Sequence, residues 1–178
     1  MNRKTLITIH MYLAAFFAPA VLLMAVSGGL YLIGIKGQVE EDTLYTSQAS
    51  IDPESTSLQE DIDNLLVEAG VRSFDYEYVK VSGDRLYTRP TSSDHYIIES
   101  GDSGLKVIRA RPNLQKRMIE LHKGHGPLLF KTFQQAFAVG LIVIMVSGLW
   151  LGLSNPRLRR STLATAISGV ILFTLLVL

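Results

Sequence analysis

His10, His122 and His125 are the residues whose type and placement could do chemistry in this chain of 178 residues. A neutral imidazole is a metal ligand. His122 and His125 lie three residues apart in LHKGHG, just before a polar collar of Lys131, Gln134 and Gln135. The eighteen residues Ala136–Leu153 that follow carry no charge, long enough to cross the ~30 Å hydrocarbon layer of a bilayer as a helix. His10 stands about one turn inside another long apolar run. The pair at i, i+3 shares one face if a helix continues through it. Gly124, Gly126 and Pro127 favour a break equally. Each of the three histidines has a second reading, as an amphipathic or packing residue at a membrane surface. His95, among polar neighbours on an expected strand, reads as exposed.

The elements that must position these residues follow from hydropathy. The chain is 48% hydrophobic with a mean hydropathy of +0.26, concentrated in Leu6–Ile35, Ala136–Leu153 and Thr162–Leu178. It has no cysteine, which excludes disulfides, thiolate metal sites and cysteine nucleophiles. All sixteen acidic residues lie between Glu40 and Glu120. Leu6–Ile35 is too long for the ~7–15-residue core of a signal peptide and reads as a retained helix, with Pro19 inside it. Ser27-Gly28-Gly29 reads as a small face for close helix packing. Lys36–Ser57 reads as a polar linker. A capping box at Ser57 and Glu60 opens a helix over Leu58–Ala69, and Gly70 closes it. Strand-like runs follow at Ser73–Val81, Asp84–Arg89, His95–Glu99 and Lys106–Ala110, separated by turn residues. The acidic turn Glu99–Asp102 reads as a β-turn before it reads as a weak divalent-cation site. Pro112–Lys123 reads as an amphipathic connecting helix.

The expected fold class is therefore an integral membrane protein with three transmembrane helices and a small extracytoplasmic α+β domain, one helix on a three- or four-stranded antiparallel sheet. Its divisions are a cytoplasmic start at 1–5, helix one at 6–35, the external domain with its linkers at 36–125, helix two at 126–153, a basic loop at 154–161 and helix three at 162–178. The short basic segments, Arg3-Lys4 and the loop with Arg157, Arg159 and Arg160, place the amino terminus and that loop in the cytoplasm. A bacterial inner membrane, with the domain in the periplasm, is the expected location. There is also an internal echo. LLMAVSGGLYLIG at Leu22–Gly34 and IVIMVSGLWLGL at Ile142–Leu153 share an apolar run, Ser-Gly and Leu-aromatic-Leu, and each follows a histidine.

This order of a His-bearing helix, small α+β domain, LHKGHG, second helix, arginine loop and third helix resembles the PepSY-associated transmembrane family. SLQEDIDNLLVEAG and HYIIESGDSGLKVI are similar to the helix and the closing strand pair of a PepSY domain. The resemblance covers nearly the whole chain, and the chain departs from larger members by having one external domain and three helices. Those members look like membrane reductases of siderophore-bound iron that hold haem b through membrane histidines.

Haem b is thus the implied cofactor, with His10, His122 and His125 as candidate cofactor-binding and haem-iron ligands. A b-type haem in a helix bundle commonly takes two facing imidazoles. Under the expected topology His10 and the His122/His125 pair lie ~30 Å apart along the membrane normal, so they cannot clamp one iron. Neighbours on one side of an iron cannot supply opposite ligands either. A homodimer or a larger membrane partner completes the site in this reading. The other expected partners are membrane lipid and a periplasmic redox protein or iron carrier. Nucleic acid is not expected, for no basic stripe exists outside the arginine loop. No phosphate loop, catalytic triad or H-E-x-x-H is present. Two functions therefore stand side by side: a haem-binding component of electron transfer or iron reduction, and a non-catalytic adaptor whose PepSY-like domain binds an external partner.

Overall fold

The computed structural model describes residues 2–101 and 104–178. By its internal contacts the chain forms two units. One holds the chain up to Val21 together with Gln135–Leu178, and the other holds Leu22–Gln134. Three helices are long and apolar enough to cross a membrane: α1 (Arg3–Leu32), α4 (Leu128–Leu153) and α5 (Arg159–Val177). At each polar end the helices differ from the hydropathy boundaries. α1 takes in Arg3 and Lys4, α4 starts at Leu128 and α5 takes in Arg159 and Arg160. Backbone hydrogen bonds continue a helix past the point where side chains turn polar.

In the first unit Gly140 of α4 lets the Phe17 ring of α1 sit against bare backbone, for a Cβ there would lie 2.3 Å from Phe17 Cε2. Phe17 also meets Phe137, with ring centroids 5.6 Å apart. α5 has no buried residue, and its Phe173, Leu175 and Leu176 lie open.

The second unit is built on a five-stranded antiparallel sheet in the order β1-β5-β4-β3-β2. Its strands are β1 (Val39–Ser47), β2 (Tyr78–Ser82), β3 (Arg85–Arg89), β4 (His95–Gly101) and β5 (Gly104–Pro112). Helix α2 (Leu58–Glu68) follows β1 and covers one face. Alternation along the strands sends Leu86, Ile98, Leu105 and Val107 to that face, where they enclose Ile62, Leu65 and Leu66 of α2. Each such side chain, fully buried, contributes roughly 1.5–3 kcal/mol. The opposite face carries a smaller cluster, Ile97, Ile108 and Ala110, with Val39 and Tyr87 beside it. Helix α3 (Leu114–His122) follows β5, capped by Asn113, whose side-chain oxygen accepts from the Lys116 N–H at 2.9 Å.

Four expectations need correction. β1 lies in the stretch read as a linker, so the sheet has five strands, not three or four. Glu40, Glu41 and Asp42 give β1 low intrinsic strand preference. Pairing with β5 and the ion pairs of Arg111 with Glu40 and Asp42 hold it there. β2 starts at Tyr78 rather than Ser73, because Phe74 and Tyr76 turn to pack against the α2 core and the Tyr76 hydroxyl donates to Asp63. The capping box does not form: Ser57 has non-extended backbone angles, and its hydroxyl donates to Asp61. His95 is buried, at 6% exposure, not open to solvent. Gly70 does end α2 in the left-handed region, at φ +78°. The turn at Ser100–Gly104, including the acidic Glu99–Asp102 stretch, falls partly on Asp102 and Ser103, outside the described residues.

Candidate functional site

The helix breaks after His122. Gly124 takes φ +77°, and Gly124 N–H and His125 N–H donate to the carbonyls of Leu121 and Glu120. α4 begins only after Pro127, so the two neighbouring histidines do not share a helix face. Gln134 of the polar collar donates to the Leu121 carbonyl at 2.8 Å. Lys131 lies over the Tyr78 ring, 4.7 Å from its centroid.

His122 reaches Ser27 of α1, with Nδ1 to Oγ at 2.9 Å. The Ser27 hydroxyl lies 2.6 Å from the Leu23 carbonyl, which can only accept. A hydroxyl has one proton, so Ser27 donates it to the helix backbone and presents a lone pair to His122. His122 Nδ1 is therefore the donor, and in the neutral ring the lone pair falls on Nε2. The next residue, Gly28, makes the approach possible: a Cβ there would lie 3.1 Å from His122 Cε1. The ring borders a largely apolar cleft of about 420 Å³ between Tyr31 and Leu32 of α1 and Ile119 of α3.

The first unit repeats this arrangement. His10 Nδ1 lies 2.8 Å from Ser147 Oγ of α4, and Ser147 donates to the Ile144 carbonyl at 3.1 Å. A Cβ on Gly148 would lie 3.1 Å from His10 Cε1. The same proton count leaves Nε2 of neutral His10 unprotonated. This ring borders a cleft of about 540 Å³ with Met145 and Leu149 of α4 and Thr162 and Thr165 of α5. The two Ser-Gly pairs belong to the two copies of the sequence echo. Each one holds the histidine that precedes the other copy.

His125 is differently placed. Its Nδ1 lies 2.6 Å from Oε2 of Glu120, a buried carboxylate on α3. Oε2 also accepts from Thr91 at 2.9 Å, while Oε1 pairs with Lys116 at 3.1 Å and Lys123 at 3.5 Å. Burial alone pushes the Glu120 carboxyl up, but hydrogen bonds from His125, Thr91 and Lys116 outweigh it and hold the group down at about 2. His95 lines the same polar cleft. Its Nδ1 donates to the Ser93 carbonyl at 2.9 Å, and burial lowers its pKa although that hydrogen bond opposes the shift.

No family model, curated protein or solved structure matches this chain.

The geometry thus separates the three candidate ligands into two kinds of setting. His10 and His122 each have a serine partner and an apolar cleft, and His125 has a carboxylate and a polar one. Among the described residues no group of three or more His, Asp and Glu gathers as a metal-ion site. The sequence alone does not reveal these partners: Ser27 looks like a packing residue, and Glu120 looks like one more charge on an amphipathic helix. The echo, with a histidine ahead of each Ser-Gly, was the available signal for the first. Glu120 was not marked because its partners come from the loop after β3 (Thr91), from α3 itself (Lys116) and from the segment after α3 (Lys123 and His125), and only folding gathers them on one carboxylate.

Proposed function

We propose that this chain is a membrane component of electron transfer or iron reduction that binds haem b through His10 and His122. The observation that supports it is the pair of serine-held imidazoles, each with Nε2 free to ligate and each beside an apolar cleft. One histidine lines each cleft, His122 the first and His10 the second, and these residues would hold the haem through Nε2. A second copy of the chain or a partner subunit would supply the further ligand. A bound haem contributes one-electron redox change at its iron. The protein's own work is to fix the ring, and a hydrogen-bonded second nitrogen does that for metal-bound histidine generally. Ser27 and Ser147 take this role, with Gly28 and Gly148 letting the rings seat.

In this reading α1, α4 and α5 cross a bacterial inner membrane, with the amino terminus and the arginine loop cytoplasmic. The sheet unit is the extracytoplasmic PepSY-like domain, favoured by one helix on an antiparallel sheet and by HYIIESGDSGLKVI forming the β4–β5 pair. A second reading, a membrane-anchored adaptor without haem, is favoured by the polar cleft around Glu120, which is built without reference to either serine-held histidine.

Absorbance of full-length protein, produced with ample haem and purified in detergent, separates the two. The haem reading predicts a Soret band and an α band that sharpens on reduction, diminished by His10→Ala and by His122→Ala. Colourless protein that is fully folded by circular dichroism overturns it in favour of the adaptor.

A further inference from the structure

We infer that the polar cleft on the second face of the sheet is a binding site for a small oxyanion, a solute bearing carboxylate or phosphate groups. Strand alternation brings Lys80 of β2 and Arg89 of β3 to this face, and Lys116 and Glu120 of α3 close it with Lys123 just past the helix end. The cleft holds about 380 Å³, within the ~300–1,000 Å³ typical of small-ligand pockets.

Four lysine and arginine side chains line it against two carboxylates, Glu41 and Glu120. The uncompensated charge falls on Lys80 and Arg89. Glu120 is already matched by Lys116 and Lys123, and Glu41 lies 4.0 Å from Arg85.

Arg89 is the decisive residue. Arg85, Arg109 and Arg111 of the same sheet each have a carboxylate within ion-pair reach. Arg89 and Lys80 have none among the described residues. Arg89 instead gives one Nη1 proton to Thr91 Oγ1 at 2.9 Å, and that hydroxyl passes its own proton to Glu120. A neutral acceptor therefore orients the guanidinium without cancelling its charge. Of its five donors one is committed, and a planar guanidinium with open donors matches carboxylate or phosphate oxygens in pairs. The relay from Glu120 through Thr91 to Arg89 pre-forms the site in the free protein, which lowers the ordering cost of binding.

Calorimetric titration of the full-length protein in detergent micelles tests this, using sodium citrate, sodium phosphate and sodium chloride at matched ionic strength. Saturable binding of citrate or phosphate, absent with chloride, is expected, and the tighter of the two identifies the carboxylate or phosphate source. Arg89→Gln is expected to weaken it by about tenfold or more and Lys80→Gln by less. Arg109→Gln, which loses a pair with Asp94 elsewhere, is expected to leave it unchanged. Should Arg89→Gln fail to fold, Arg89→Lys decides, because it keeps the charge but loses the paired donors and must still weaken binding. Absence of saturable binding by both oxyanions overturns the proposal, as does unchanged affinity in a folded Arg89 variant.

Discussion

His122 and His125 are three residues apart, and their rings have opposite company. His122 rests on a serine whose proton is already spent on the α1 backbone, beside an apolar cleft. His125 rests on a buried, ionised glutamate that two lysines and a threonine also serve. In both rings Nδ1 is the donor, so the difference lies in what the partner demands. A serine asks only for a hydrogen bond and leaves a neutral ring with a lone pair for a ligand. A buried carboxylate is expensive without its donors, so the ring that serves it is part of the architecture. Histidine type and spacing do not separate these roles; the chemistry of the partner does. His10, with Ser147, falls on the His122 side of the division.

The largest effect is expected from a pair of substitutions. His122→Ala is expected to abolish haem at its cleft, while His125→Ala retains the colour and lowers stability; the absorbance spectrum and thermal unfolding of the two variants check it. Equal loss of colour in both would erase the distinction. Next in size is Glu120→Gln, which strips His125 and Lys116 of their charge partner and is expected to cost on the order of 3 kcal/mol in unfolding of the sheet unit. Circular dichroism against denaturant measures that. The same carboxylate sets an acid limit. Its folded pKa, about 2, lies below its ordinary 4.5, so its stabilisation is fully present above the ordinary value and is lost as pH falls from there towards 2. Acid titration followed by circular dichroism is expected to show a drop across that window that Glu120→Gln flattens. Smallest is Ser27→Ala, which frees the His122 ring without removing it and is expected to weaken haem binding about tenfold, read by haem titration.

The apolar helices were legible because uninterrupted hydropathy needs no partner to interpret. α2 and the core strands β3–β5 were legible because helical and alternating periodicities survive in Ile62, Leu65 and Leu66 and in Leu105 and Val107. β1 was not, since Glu40-Glu41-Asp42 looks like solvated linker until Arg111 across the pair is known. Ser27 and Ser147 were half legible: Ser-Gly in an apolar helix marks a close approach, but a ring and a neighbouring backbone ask for the same small residue. The echo gave the missing hint, and its reciprocal use could not be seen without the tertiary pairing. His95 was misread because local polarity says nothing of the α3 residues that share its cleft.

Serine partners fix His10 and His122 with the proton on Nδ1 and the lone pair of the neutral ring on Nε2. Imidazole nitrogen NMR of the haem-free, histidine-labelled full-length protein at neutral pH measures this directly. Protonated Nδ1 and bare Nε2 are expected at both residues, with Ser27→Ala disturbing only His122 and Ser147→Ala only His10. A proton on Nε2 of either neutral ring would contradict it.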